Sequence, residues 1–134
     1  MHKHILVPIA PGHIADHSKS LEMARRLLAE GGKITVLSVL EELPSYISSY
    51  FPADQVEKNL SEMKEVMKSE IEKDDTDVQT ASGHPTNTIL DWADKNAVDC
   101  IVVSSHRPGF SHLLLGSTAA RVVRHAKCTV LVVR

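Results

Sequence analysis

Four short, nearly continuous apolar runs alternate along the chain with stretches in which apolar residues recur every three or four positions. Continuous runs mark strands covered on both faces, and the three-to-four spacing marks helices with one buried side. The first run, residues 5–9 (Ile5-Leu6-Val7-Pro8-Ile9), predicts a central strand whose pairing Pro8 interrupts near its end. Asp16 or Ser18 is placed to cap a helix carrying Leu21, Ala24, Leu27 and Leu28 on one face, and Gly31-Gly32 to stop it. Residues 34–40 predict a second buried strand. Residues 41–52, with two prolines, two tyrosines and Phe51 among serines, predict an ordered loop long enough to be functional.

From residue 53 to about 73, Val56, Leu60, Met63, Met67 and Ile71 keep a helical spacing with charges between them, so an amphipathic helix is expected there. A strand at 77–81, a turn at Gly83-His84-Pro85 and a helix over 86–95 with Ile89, Leu90, Trp92 and Ala93 inward follow. Residues 100–103 predict strand four, 116–125 its following helix and 129–133 a fifth strand. Strands and helices in strict alternation imply a parallel sheet with helices on both faces. The whole chain, residues 1–134, reads as a single domain, and its 43% apolar and 24% charged residues are ordinary for one hydrophobic core.

Charge and composition narrow the function. A formal net charge of −2 gives no electrostatic reason to bind nucleic acid, and 4% aromatics leaves few platforms for stacking single strands. No apolar run approaches a membrane span, and Met1-His2-Lys3-His4 leads directly into a strand without a secretory apolar region. The expectation is a cytoplasmic protein with no nucleic-acid or membrane partner. Cys100 and Cys128 both lie beside apolar residues and read as buried thiols. Of the eight histidines, His13 and His17 have the spacing to share a helix face. No third ligand accompanies them, so no metal site is expected.

The chemistry concentrates after strand four, in Ser104-Ser105-His106-Arg107-Pro108-Gly109 and the helix entry Gly116-Ser117-Thr118. A helix start offers unpartnered backbone N–H groups and the positive end of a dipole, so a glycine followed by two hydroxyl residues can hold an anion. Ser117 or Thr118 can equally serve as the helix cap. There is no Gly-x-Gly-x-x-Gly after strand one and no Gly-x4-Gly-Lys-Ser/Thr, which leaves the dinucleotide fingerprint and the P-loop without support. With strand one central, the turns after strands one and four flank the crevice in which open parallel sheets bind ligands.

Taken together, the first run, Val36-Leu37-Ser38-Val39, Gly83-His84-Pro85, Asp99-Cys100-Ile101-Val102-Val103, Leu113-Leu114-Leu115-Gly116-Ser117 and residues 124–134 resemble the universal stress protein family. The likeness spans the whole chain, and Ser-His-Arg-Pro at the phosphate turn resembles one branch of that family. The resemblance implies a Rossmann-like fold of the adenine nucleotide alpha hydrolase type, with five parallel strands in the order 3-2-1-4-5. It also implies a homodimer formed through the C-terminal strand, and ATP, with or without Mg2+, as the bound cofactor. The family motif Gly-x2-Gly-x9-Gly-Ser/Thr is met only in part. Gly116-Ser117 stands, Ser104 and about Arg107 replace the first two glycines, and one residue is deleted before Gly109. The family's Pro-x-Asp becomes Pro8-Ile9-Ala10, which removes an acceptor near the nucleotide and lowers affinity roughly tenfold.

Carried over by position, Pro8 lines the base, Val39 holds adenine through its backbone, and Ser104, Arg107, Gly109, Gly116, Ser117 and Thr118 surround the phosphates. Arg107 is suited to offset the lost glycine by direct phosphate contact. His106 and His112 are the only bases near this turn and no Walker-type Asp/Lys pair is present, so no catalytic residues are assigned. The expected function is a small dimeric nucleotide-binding regulator of the stress response, working with unidentified protein partners. The alternatives are a nucleotide-free dimeric scaffold and a slow ATPase or autokinase.

Overall fold

The buried apolar runs pair side by side. In a computed structural model that describes residues 2–10, 17–41, 45–71, 76–105 and 116–134, the strands are β1 (His2–Pro8), β2 (Leu28–Leu40), β3 (Thr76–Ser82), β4 (Cys100–Ser104) and β5 (Thr129–Val133). The helices are α1 (Ser18–Leu27), α2 (Ser45–Ser48), α3 (Gln55–Ile71), α4 (Pro85–Lys95) and α5 (Ser117–His125). All four strand pairings are parallel and the order is β3-β2-β1-β4-β5, as expected. Side chains alternate across the pleat, so β1 and β4 feed two cores. Ile5, Val7, Cys100 and Val102 pack with Leu21 and Ala24 of α1 and Met67 and Ile71 of α3. Leu6, Ile101 and Val103 pack with Ile89 and Ala93 of α4 and Ala119 and Val122 of α5.

Three local expectations are corrected. Gly31-Gly32 does not stop α1, which ends at Leu27. Leu28 is already extended (φ −72°, ψ 130°) and pairs with His2. The glycine pair instead sits in an irregularity of β2, where the register moves from His2↔Leu28 to His4↔Lys33. Gly31 has φ 77°, and a Cβ on Gly32 would lie 2.9 Å from the Lys3 carbonyl oxygen, so both positions need glycine for a bulge rather than for a helix end. Second, the cap position of α1 is His17, which makes no side-chain cap hydrogen bond, and Ser18 is the first helical residue. Asp16 lies outside the described residues. Third, the segment expected to be a loop carries the single-turn helix α2.

β1 also starts earlier than its apolar run, because polar contacts hold His2, Lys3 and His4. The Lys3 and His4 amides donate to the Asp99 carboxylate at 2.8 and 3.3 Å, and His2 Nδ1 lies 3.5 Å from it. Burial pushes the Asp99 carboxyl up, but those two amides and the nearby His2 outweigh it and hold the group below its ordinary value. His4 is buried, with Nδ1 2.9 Å from the Asn96 carbonyl, Nε2 2.9 Å from Thr35 Oγ1, and Trp92 edge-on at 5.6 Å. Trp92 is thus the packing residue its helical position predicts.

Candidate functional site

β1 and β4 are neighbours whose following helices lead to opposite sides of the sheet, so the strand order reverses between them. Their ladder contains only Ile5↔Cys100 and Leu6↔Ile101 among the described residues. In contrast, β1–β2 continues to Pro8↔Leu37 and β4–β5 to Ser104↔Val133. The carboxyl halves of β1 and β4 therefore separate, opening a crevice of the kind that binds ligands in open α/β sheets.

Pro8 ends β1 on the β2 side of this crevice, half-buried, and the Ile9 amide makes one more bond to the Leu37 carbonyl at 2.9 Å. Ala10, exposed, follows with no polar side chain to offer. Along a strand, alternate residues turn their backbone groups to alternate neighbours. Leu37 faces β1 and Leu40, which accepts the Gly83 amide at 3.0 Å, faces β3. Val39 therefore turns its N–H and C=O toward the β1 side, one step beyond the Ile9–Leu37 bond, while its side chain is buried against the α4–α5 side.

On the far wall, Ser104 is half-buried opposite Val133. The next residue, Ser105, gives both its amide (2.9 Å) and its Oγ (3.3 Å) to the Val133 carbonyl and so fixes the chain's exit from β4. Sequence reasoning passed over Ser105, since a serine anchoring a strand end looks the same as any loop serine. Gly116 is the cap residue of α5 (φ −59°, ψ 150°) and lacks a side-chain cap. Its carbonyl accepts the Ala120 amide at 2.9 Å. Ser117, exposed, and Thr118, half-buried, are the first two helical residues, so the reading of either as the cap is corrected. No acidic residue stands in the first turn, and a Cβ on Gly116 would meet no described atom within 4 Å.

α1, the helix that follows β1, likewise begins without a side-chain cap or an acidic first turn. The contrast is α4, whose cap residue His84 accepts the Asn87 amide at 3.4 Å through Nδ1. The two helix starts that flank the crevice thus keep their positive ends uncompensated by these caps, an arrangement suited to phosphate. Arg107 and Gly109 lie outside the described residues, as do His106, His112 and His13. Among the described residues no three His, Cys, Asp or Glu side chains converge as metal ligands, and no helix is long and apolar enough to cross a membrane.

Comparison with known proteins supplies the remaining evidence. The family model for the universal stress protein family matches residues 1–134. The Universal stress protein A homolog 2 of Coxiella burnetii is 34% identical over 99% of this chain and 95% of its own. Among solved structures, UspA of Lactobacillus plantarum superposes with a TM-score of 0.72 at 23% identity, covering 98% of this chain and 97% of that one. A universal stress protein solved in complex with cAMP superposes with a TM-score of 0.67 at 20% identity, covering 99% and 97%.

Proposed function

The chain belongs to the universal stress protein family, and from that premise we propose that it is a dimeric module that binds an adenine nucleotide, ATP first, and acts through the bound state rather than through turnover. The observation that carries this reading is the helix start at Gly116, without a side-chain cap or an acidic first turn, beside the separated ends of β1 and β4. A triphosphate there accepts from the first-turn amides of α5, with Arg107 as a cationic partner. The base turns toward Val39, whose backbone offers one donor and one acceptor on the crevice side, with Pro8 beneath it. The cAMP held by one structural relative is consistent with an adenine ligand in this fold.

Regulation rather than catalysis is favoured because Ala10 leaves no carboxylate at the end of β1 to hold a metal or a water. Mass spectrometry of the purified, denatured protein for co-purifying nucleotide is the first test, followed by calorimetry with ATP, ADP and AMP. Gly116→Val adds bulk where a phosphate oxygen must approach and should abolish binding with an unchanged far-UV spectrum. Arg107→Ala should weaken binding by about 1.5–3 kcal/mol if its guanidinium meets phosphate. No affinity for any of the three at millimolar ligand would leave the scaffold reading in its place.

A further inference from the structure

Three of the chain's five aromatic residues are exposed within six positions: Tyr46 at 71%, Tyr50 at 85% and Phe51 at 50%. They are held by local turns, with the Tyr50 amide on the Ile47 carbonyl (3.1 Å), Ser49 Oγ on the Tyr46 carbonyl (3.2 Å) and the Gln55 amide on the Pro52 carbonyl (3.0 Å). A single exposed apolar side chain is ordinary, whereas several large ones gathered in one short segment outside the core point to a binding surface.

Their height relative to the sheet follows from one bond. Thr80 Oγ1 donates to the Leu60 carbonyl at 3.1 Å, and Thr80 pairs with Ser38, which sets Leu60 level with Ser38. α3 runs opposite to the strands it connects, so Gln55, five residues earlier, stands about 7.5 Å nearer the carboxyl edge. That is level with the end of β2, about two residues of rise beyond Ser38. The aromatic segment joins the end of β2 to Gln55, both at this carboxyl edge, where Val39 stands beyond the last β1–β2 pair, Pro8↔Leu37.

Charge selects what faces it. Glu41 and Glu57, both exposed, flank the aromatics, and Asp54 beside them is paired with Lys58 at 3.4 Å, whereas the first turn of α5 has no acidic residue. Phosphates are repelled from the first place and accepted at the second, so a nucleotide spanning the crevice presents its base to the aromatic side. We infer that Tyr46, Tyr50 and Phe51 form a stacking platform that packs on the base of the bound nucleotide. This rests on the nucleotide reading above and adds to it the residues that recognise the base. Stacking is indifferent to a missing carboxylate acceptor, which suits a site that carries Ala10 at the end of β1.

The test pairs calorimetry with limited chymotrypsin digestion of the whole protein, following cleavage after Tyr46 and Tyr50. Saturating ATP should slow both cleavages at least fivefold, while inorganic triphosphate, which has no base, should leave them unchanged. The triple variant Tyr46→Ala, Tyr50→Ala, Phe51→Ala should bind ATP roughly 5- to 150-fold more weakly and inorganic triphosphate with unaltered affinity. The digestion of wild type does not depend on how the variant folds. ATP binding with unchanged cleavage, or with unchanged affinity in a folded variant, overturns the platform and leaves the patch to a macromolecular partner. ATP failing to bind wild type at all overturns the nucleotide reading, and the platform with it.

Discussion

His4 and Asp99 exchange hydrogen bonds across the amino-terminal end of the sheet: the Asp99 amide donates to the His4 carbonyl at 3.0 Å, and the His4 amide donates back to Asp99 Oδ1 at 3.3 Å. The pair ties β1 to the start of β4 at the end of the sheet opposite the crevice. β1 and β4 separate a few residues later, so this clamp and the short ladder beside it hold the two halves together while their carboxyl ends stay apart. The tie and the opening thus lie at opposite edges of the sheet.

Replacing Asp99 by Ala should lower the unfolding free energy by about 1 kcal/mol. Its side chain is 42% exposed, and solvent screening reduces what charge-assisted bonds to two amides would otherwise contribute. The carboxyl is held below its ordinary value, so this contribution is complete above the unfolded carboxyl's pKa of about 3.9 and is lost as pH falls through the lower folded value. Urea titrations of both proteins at pH 7 and across pH 2–5 check it. The gap between them should narrow at the acid end, and a gap that widens there would refute the assignment.

A second prediction concerns the ring of His4. Its Nδ1 faces a carbonyl and so carries the proton, which leaves Nε2 of the neutral ring to accept from the Thr35 hydroxyl. Thr35→Val keeps the shape and removes the donor. It should cost about 1–3 kcal/mol, the penalty for a buried acceptor left without a partner. Equilibrium unfolding measures it, and a loss under roughly 0.5 kcal/mol would show that the bond is dispensable.

Much of this was legible in the chain because its signals were strong and local. Runs such as Ile5-Leu6-Val7 and Cys100-Ile101-Val102-Val103 are buried on both faces and have no competing helical reading. Gly31-Gly32 misled for a physical reason: a left-handed glycine serves a helix end and a strand bulge equally well, and only the close approach to the Lys3 carbonyl decides between them. The amino end of β1 was missed because His2, Lys3 and His4 are held by Asp99, almost a hundred residues away, a contact that no local window contains. At the site, the glycine that starts α5 was visible in sequence. The role of Ser105 and the exposure of Tyr46, Tyr50 and Phe51 were not, since both depend on where neighbouring strands end.

The two cysteines sit at the starts of adjacent strands yet pack toward opposite cores, Cys100 with α1 and α3, Cys128 against the α4–α5 side. They should therefore not form a disulfide within one chain, since bridging requires Cβ vectors that converge. Burial pushes the Cys100 thiol up to about 11, and the Cys128 thiol is raised from the same cause to a lesser degree of burial. A thiol reagent at pH 8 should modify Cys128 slowly and Cys100 only on unfolding. Fast native modification of Cys100 would contradict the packing.

Association should occur through β5. It is one of the sheet's two edge strands, and Val130, Leu131, Val132 and Val133 are each only half-buried by their own chain. An apolar edge of this kind invites pairing with a second copy. Sedimentation at micromolar concentration should give a dimer, and Val132→Lys should shift it toward monomer. A monomeric wild type, with the variant unchanged, would leave this edge without the partner proposed for it.

The crevice itself can be tested by a substitution that improves the fold while blocking the ligand. Gly116 has the extended geometry of a cap residue but no side chain, and a Cβ there meets no described atom. Gly116→Asp supplies a carboxylate that accepts from the first-turn amides of α5 and faces the positive end of its dipole. It should raise stability by a few tenths to about 1 kcal/mol. Those amides are the ones proposed for the phosphates, so ATP affinity should fall at least tenfold, through both occupancy of the donors and charge repulsion. Gly116→Asn, which caps without charge, should give a smaller loss. Thermal unfolding and calorimetry on the same samples read the two effects. A variant that is stabilised yet binds ATP as tightly as wild type would place the phosphates elsewhere, because the helix start cannot hold a carboxylate and a phosphate on the same amides.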